Sequence, residues 1–296
     1  MSSLSVSTQR SGALAFAALA LGALAMGLSP VFVRWADVGP FTSAFWRVFL
    51  ALPLLYGWMR AAEQGTPAAK GPRFLFTLPI VMAGLAFTGD LLVWHLSILT
   101  TSVANATFFA TTAPIWVIAF GWLLFRERVG ASILTGLALC ILGGAALLAR
   151  SLQIQPAHAT GDLLGLATGV FFGLYFLAVQ AARRDTSAAR VTFEASILTA
   201  AALFAVAATV ERSLLPHSLA GWAALLGMSW ISHAGGQGLL SVALGRLPAT
   251  FSSLVIFLEA IAAAAFGFLL LGEPVSLAQA FGGLLILAGI FVARPR

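Results

Sequence analysis

Two acidic side chains lie within stretches of the chain that are otherwise almost entirely apolar. Glu259 is near the middle of the stretch 248–271, and Asp90 is in the stretch 73–96, five residues before His95. If these stretches cross a membrane, each ionisable group costs about 2.5–3.5 kcal/mol on insertion scales and points first to a functional role. Either carboxyl group could bind a substrate amine or carry a coupling proton. A structural hydrogen bond is the alternative for both.

A denser group of polar side chains lies in the apolar stretch 219–244. Trp230, His233 and Gln237 recur at i, i+3 and i+7, which places them on one face of an α-helix. Because such a face is costly toward lipid, we predict that it lines a cavity or faces partner helices. The glycines that follow His233 allow either close helix packing or local unwinding that exposes carbonyl groups to a ligand.

Aromatic rings offer a second kind of binding surface. Phe171, Phe172 and Tyr175 lie in the stretch 161–182, and Trp116 lies deep in another. These rings could stack on an aromatic or apolar substrate. Packing between helices is an equally ordinary role for such rings.

Three prolines fall inside predicted membrane spans. Pro30, Pro79 and Pro114 each remove a backbone hydrogen bond and can kink the helix that contains them. Because kinked helices suit gating, we predict that these prolines act in gates, although proline is also common in membrane helices.

Arg47 is a basic residue that lies several residues inside a predicted span, rather than at the edge of a span or between spans. It is six residues, or about 9 Å, from the start of the stretch 41–60, which is the external end of that span. Its long side chain could extend to the interface, pair with Asp37 or Asp90, or bind a substrate carboxylate.

Ten apolar stretches position these residues. Each is about 20 residues long, which is the length that an α-helix needs to cross a bilayer. We predict an all-α integral membrane protein with a short segment, 1–11, before its first span. The predicted spans are 12–35, 41–60, 73–96, 101–124, 130–149, 161–182, 190–210, 219–244, 248–271 and 275–293.

Composition supports a membrane protein and excludes several other classes. Hydrophobic residues make up 60% of the 296 residues and charged residues 9%. The basic residues are scattered singly, so nucleic acid is not a predicted partner. With a single cysteine and four scattered histidines, the sequence predicts neither a disulfide framework nor a metal site. It contains no nucleotide-binding motif, so no cofactor is predicted.

The positions of the basic residues predict the orientation in the membrane. With a cytoplasmic N-terminus, twelve of the 16 Lys and Arg residues lie on the cytoplasmic side, and only Arg34, Arg150 and Arg212 lie outside. The positive-inside rule therefore places both termini in the cytoplasm. A cleavable signal peptide is an alternative interpretation of the first apolar stretch.

The chain contains an internal repeat with an offset of 146 residues. Between 115 and 143, eleven of 29 positions meet an identical residue 146 positions later, without a gap. The repeat predicts two halves, 12–149 and 161–293, of five spans each. An odd number of spans inverts the second half relative to the first, which is the architecture of many alternating-access carriers.

The sequence resembles the ten-helix EamA-type family of the drug/metabolite transporter superfamily. The resemblance rests on Arg34, Pro40 and Arg47, on Ala104-Asn105-Ala106 and Pro114, and on the paired segments Leu124-Phe125-Arg126-Glu127 and Leu271-Gly272-Glu273. Arg126 departs from the glycine that usually precedes this glutamate.

Within this family the chain is most similar to bacterial inner-membrane exporters of aromatic and other neutral amino acids, of the YddG type. The resemblance implies a cavity lined by spans one, three, four, six, eight and nine, with spans five and ten peripheral. It also implies that the substrate is a small molecule, and amino acids are the substrates expected.

Other functions remain as alternatives. A transporter of another metabolite or drug, a passive channel and an intramembrane serine protease using Ser229 or Ser232 with His233 are the competing predictions. Glycines in spans five and ten indicate close helix packing, and a homodimer through these two helices is a further alternative.

Overall fold

The protein is helical throughout the part of the chain that the structure describes. A computed structural model describes residues 2–65, 74–101, 103–148, 156–272 and 275–294, and these ranges contain no β-strand. The helices of the first half are α1 Ser2–Met26, α2 Ser29–Trp35, α3 Pro40–Phe49, α4 Leu52–Glu63, α5 Leu78–Thr100, α6 Val103–Ala110, α7 Ala113–Phe125 and α8 Ala131–Leu148.

The second half begins with a 3₁₀ turn, Pro156–His158. Its α-helices are α9 Ala159–Ala182, α10 Ala188–Val210, α11 Leu219–Gly227, α12 Gly238–Leu244, α13 Ala249–Val255, α14 Leu258–Leu271 and α15 Leu277–Ala293. A π-helix, Met228–Gln237, connects α11 to α12.

Several helical stretches are long and apolar enough to cross a membrane. By length and composition, five meet this requirement among the described residues: Gly12–Trp35, Leu78–Ser97, Ala159–Ala182, Ala188–Val210 and Ala249–Leu270. Shorter apolar helices cover Phe108–Leu124, Ala131–Leu147 and Leu277–Ala293. Predicted span two is divided between α3 and α4, and α1 begins within the segment predicted to precede span one.

Helix interruptions precede two of the three prolines that were predicted to kink helices. α1 ends before the segment that contains Pro30, and α6 ends before the segment that contains Pro114. Pro79 was predicted to kink a helix, but it does not. Because α5 starts at Leu78, this proline lies in the first turn of the helix and causes no interruption. Pro53, for which no role was predicted, follows a third interruption, at 50–51.

The 146-residue offset recurs in local backbone structure. The break between α6 and α7 matches the break between α13 and α14 to within one residue. Arg126 and Gly272, which are 146 residues apart, both end their helices in the left-handed conformation, with φ of 56° and 68°. Glycine adopts this conformation without steric strain, whereas Arg126 does so against its own Cβ. Glu273 lies outside the described residues.

Glycines bring α8 and α15 into close contact. A Cβ on Gly136 would lie 2.6 Å from the carbonyl oxygen of Gly289, and one on Gly143 would lie 2.6 Å from that of Gly282. The order of these pairs makes the two helices antiparallel. The predicted close packing is therefore confirmed inside one chain. A homodimer through these helices stays a prediction and would have to use their other sides.

Candidate functional site

A cavity of about 80 Å³ lies among helices from both halves of the chain. This volume is enough for several water molecules. Its polar lining residues are Ser29, Arg47, Asp90, Thr111, Thr168, Gln237 and Glu259. The helices in its wall are those that the family resemblance implies, with predicted span two added through Arg47.

Helix interruptions meet at this cavity. Ser29 and Pro30 start α2 after the first break, and Thr111 lies in the break between α6 and α7. Glu259 is the second residue of α14, directly after the break at 256–257. The carboxylate of Glu259 therefore lies in the first turn of a helix, where the helix dipole favours negative charge. The sequence placed this residue in the middle of an unbroken helix.

Charged groups of both signs line the cavity. Arg47 and Asp90 are buried, and Glu259 is partly buried. The Nε atom of Arg47 has no hydrogen-bond partner among the described residues. Asp37, one of its two predicted partners, instead accepts a hydrogen bond from the backbone N–H of His217 at 3.2 Å.

Gln237 and His233 occupy different positions relative to the cavity. Gln237 lines it, with Nε2 3.3 Å from the sulfur of Met26. His233 is buried behind the cavity wall, where its ring stacks on Phe87 at a centroid distance of 5.5 Å. Its Nε2 lies 2.9 Å from Oγ of Ser196, which is neither of the serines that the protease alternative requires.

Trp230 does not share the face predicted for it. Its side chain is 53% exposed, and its indole N–H donates to the carbonyl oxygen of Leu50 at 3.1 Å. The physical reason is the π-helix, whose i→i+5 hydrogen bonds wind more residues into each turn than an α-helix does. The i, i+3, i+7 pattern then no longer describes one face. His233 and Gln237, four residues apart, stay buried together.

The predicted aromatic residues are divided between the cavity and other surfaces. Phe172 lines the cavity, and Tyr175 is buried beside it, with its ring 6.2 Å from that of Phe172. Phe171 points elsewhere and lines an apolar groove together with Pro79. Trp116 packs against Gly173, and neither it nor Pro114 lines the cavity.

Three residues of the candidate site were not predicted from the sequence. Ser29, Thr111 and Thr168 line the cavity, but single Ser and Thr residues are too common in membrane helices to stand out. The signal that could have found the first two is their position beside Pro30 and Pro114.

A buried ion-pair network lies at the end of the bundle where α4 stops and α10 starts. Arg190 donates two hydrogen bonds to Glu63, at 2.6 and 2.7 Å, and one to Glu194 at 3.1 Å. Glu194 also accepts from the backbone N–H groups of Leu75 and Phe76. The Arg190 guanidinium holds the pKa of the Glu63 carboxyl below its usual range. The network joins α4, α10 and the segment just before α5.

The other end of α10 holds the start of α3. Glu211 accepts hydrogen bonds from the backbone N–H groups of Phe41, at 2.7 Å, and Thr42, at 3.1 Å. The indole N–H of Trp46 donates to the carbonyl oxygen of Leu214 at 2.6 Å. These contacts fix α3, which carries Arg47, without any contribution from the guanidinium.

Similar proteins are known at the levels of sequence and fold. The chain is 28% identical to an uncharacterized transporter from Archaeoglobus fulgidus over 282 residues, which cover 94% of this chain and 95% of that one. It is 23% identical to the pseudopaline exporter CntI of Pseudomonas aeruginosa, over 88% of this chain and 87% of the exporter. One crystal structure superposes with a TM-score of 0.81 at 17% identity, covering 96% of this chain and 97% of that chain.

The family profile matches this chain twice. The EamA-like transporter family profile covers residues 13–149 and, again, residues 159–294. These two segments include every residue that lines the cavity. The chain is therefore a multi-pass membrane transporter that belongs to the EamA-like transporter family.

Proposed function

We propose that this transporter exports amino acids, aromatic and other neutral ones, or similar small metabolites across the bacterial inner membrane by alternating access. The observation that carries the proposal is the cavity in which three interrupted helices from both halves meet. In secondary transporters, interrupted helices supply free helix ends and backbone groups to a substrate near the middle of the membrane.

The proposed architecture is ten spans in two inverted halves of five. Its support is the contact between α8 and α15, where Gly136 meets Gly289 and Gly143 meets Gly282. Adding 146 to the first residue of one pair gives the second residue of the other, as a two-fold axis between the halves would require. Cys140 lies near this axis, since its sulfur is 3.7 Å from the carbonyl oxygen of Ile286, its own equivalent.

Such an axis runs across two antiparallel helices and therefore lies in the plane of the membrane. Two halves related in this way can exchange conformations, which gives one state open to each side. The observed cavity is then the substrate site that both states share.

The proposed substrates follow from the lining of the cavity and from the resemblance to amino-acid exporters. The rings of Phe87, Trp94 and Phe172 offer contacts to an aromatic or aliphatic side chain. Asp90 and Glu259 offer carboxylates for an amine or a coupling proton. Outward transport is supported by the relative that is named as an exporter.

Counterflow in proteoliposomes tests the proposal. We expect saturable exchange of labelled neutral amino acids by the wild-type protein. Ala263→Trp should abolish exchange by filling the cavity, because Ala263 lines it. Ala205→Trp is the matched control, since Ala205 is exposed on α10 and its substitution should leave exchange unchanged.

Two results would contradict the proposal. The absence of exchange for every neutral amino acid, in vesicles that contain folded protein, would assign the cavity to another metabolite. Flux that rises linearly with concentration and shows no counterflow would instead indicate a channel.

A further inference from the structure

We propose that Arg47 binds the carboxylate of the substrate and thereby makes the transporter select amino acids over amines of the same shape. This inference rests on the proposed function, and it assigns a specificity-determining residue to the same cavity.

Arg47 is a buried cation without a close protein partner. Arg47 is 8% exposed and lines the cavity. Among the described residues no carboxylate oxygen lies within 4.0 Å of its guanidinium, and its Nε atom makes no hydrogen bond. Burying a cation without a hydrogen-bonded partner is unfavourable, so the site is prepared for an anion that enters the cavity.

The helix that carries Arg47 is held in place by contacts that do not involve the Arg47 guanidinium. Glu211 caps the start of α3, and Trp46, the residue before Arg47, bonds to Leu214. The helix is therefore held in place by its backbone and by a neighbouring side chain. A purely structural arginine would be expected to take part in such anchoring contacts.

The rest of the cavity selects the kind of anion. Asp90 and Glu259 line the same space, so the ionised cavity carries one positive and two negative groups. A dianionic phosphate would meet two like charges, and a simple amine would leave Arg47 without an anion. A zwitterion satisfies both requirements, with its carboxylate on Arg47 and its ammonium group toward Asp90 or Glu259. The planar guanidinium suits a carboxylate because it can donate two parallel hydrogen bonds.

Competition by two molecules of nearly the same shape tests the inference. Phenylalanine and phenylalaninamide share a ring and an amino group, and only phenylalanine carries a carboxylate. We expect phenylalanine to inhibit wild-type counterflow at a concentration about 10- to 100-fold lower than phenylalaninamide, the range that hydrogen bonds to a charged group provide. Arg47→Lys should reduce this ratio, and Arg47→Gln should bring it close to one.

Matched variants separate this role from a structural one. Arg212→Gln removes an arginine that is exposed after α10 and should leave the ratio as in the wild type. A monodisperse gel-filtration profile and an unchanged melting temperature show that each variant is folded. If Arg47→Gln does not fold, the ratio of the two inhibitory concentrations in Arg47→Lys, compared with that in the wild type, still shows whether Arg47 binds the carboxylate.

The outcomes distinguish the two proposals. Equal inhibition of the wild type by both compounds, or a ratio that Arg47 substitutions leave unchanged, would overturn the role of Arg47 while amino-acid transport stands. Failure of the wild type to exchange any amino acid would overturn the proposed substrate class and this inference with it.

Discussion

Arg190 and Glu63 show how a buried charge can be structural in this protein. Arg190 is almost fully enclosed and has two carboxylates within hydrogen-bond distance, Glu63 and Glu194. Arg47 is also buried, and it lacks such partners among the described residues. The contrast separates an arginine that completes the fold from the one that we propose binds the substrate carboxylate.

We expect Glu63→Gln to destabilise the protein by about 1–3 kcal/mol, because it removes a charged acceptor from a buried guanidinium. Glu127→Gln, at an exposed glutamate, should change the melting temperature little. Thermal unfolding in detergent measures both. Equal melting temperatures for the two variants would contradict a stabilising role for the pair.

The same pair predicts a dependence on pH. Because the pKa of Glu63 is lowered by folding, its contribution is fully present above the pKa of the unfolded chain and is lost as pH falls through the lower folded value. We therefore expect the difference in melting temperature between wild type and Glu63→Gln to shrink on acidification below about pH 4.

Sequence reasoning identified part of the candidate site at this scale. Asp90, Gln237 and Glu259 were singled out because polar groups are costly in apolar stretches, and all three line one cavity. Their role in substrate binding stays a prediction. The isolation of Arg47 from Asp90 could not be predicted, because it depends on distances between helices that are far apart in the sequence.

At the scale of elements, close packing of α8 on α15 makes its glycines sensitive to substitution. A Cβ at Gly143 would meet the carbonyl oxygen of Gly282 at 2.6 Å, and one at Gly289 would meet that of Gly136 at 2.6 Å. We expect Gly143→Ala and Gly289→Ala each to lower stability by about 1–3 kcal/mol, because two backbones must move apart.

Gly57→Ala is the matched control for these two variants. Gly57 lies within α4, and an added Cβ there would meet nothing within 4 Å. Alanine should be neutral or slightly stabilising at this position, since it has the higher helix propensity. If the three variants had the same melting temperature, the glycine contacts would not be what holds α8 against α15.

The π-helix shows where element prediction from periodicity reaches its limit. Trp230, His233 and Gln237 satisfy an α-helical pattern, yet the chain winds differently through Met228–Gln237. Gly236 packs closely on α1, where an added Cβ would lie 2.5 Å from Met26. A close contact of this kind with another helix cannot be read from the local sequence.

At the scale of the whole molecule, the distribution of basic residues predicts the orientation. Labelling of single cysteines with a membrane-impermeant maleimide tests it in intact cells. We expect Arg212→Cys to react from outside and Arg184→Cys to react only after the cells are permeabilised, since both residues are exposed at helix ends.

The native Cys140 provides the background for this measurement. It is buried, so the otherwise unmodified protein should not react. Labelling of Arg184→Cys in intact cells, with Arg212→Cys protected, would reverse the proposed topology.

The sequence by itself determined the class of the protein, because the length and apolarity of its helices suit a bilayer and only a bilayer solvates so many apolar surfaces. It also determined the repeat, since related halves keep glycines at equivalent positions 146 residues apart. The tertiary structure decided which polar groups share a cavity, because helix breaks, π-winding and interhelical distances depend on contacts between distant segments. For that reason the candidate site includes Arg47, and Trp230 lies outside it.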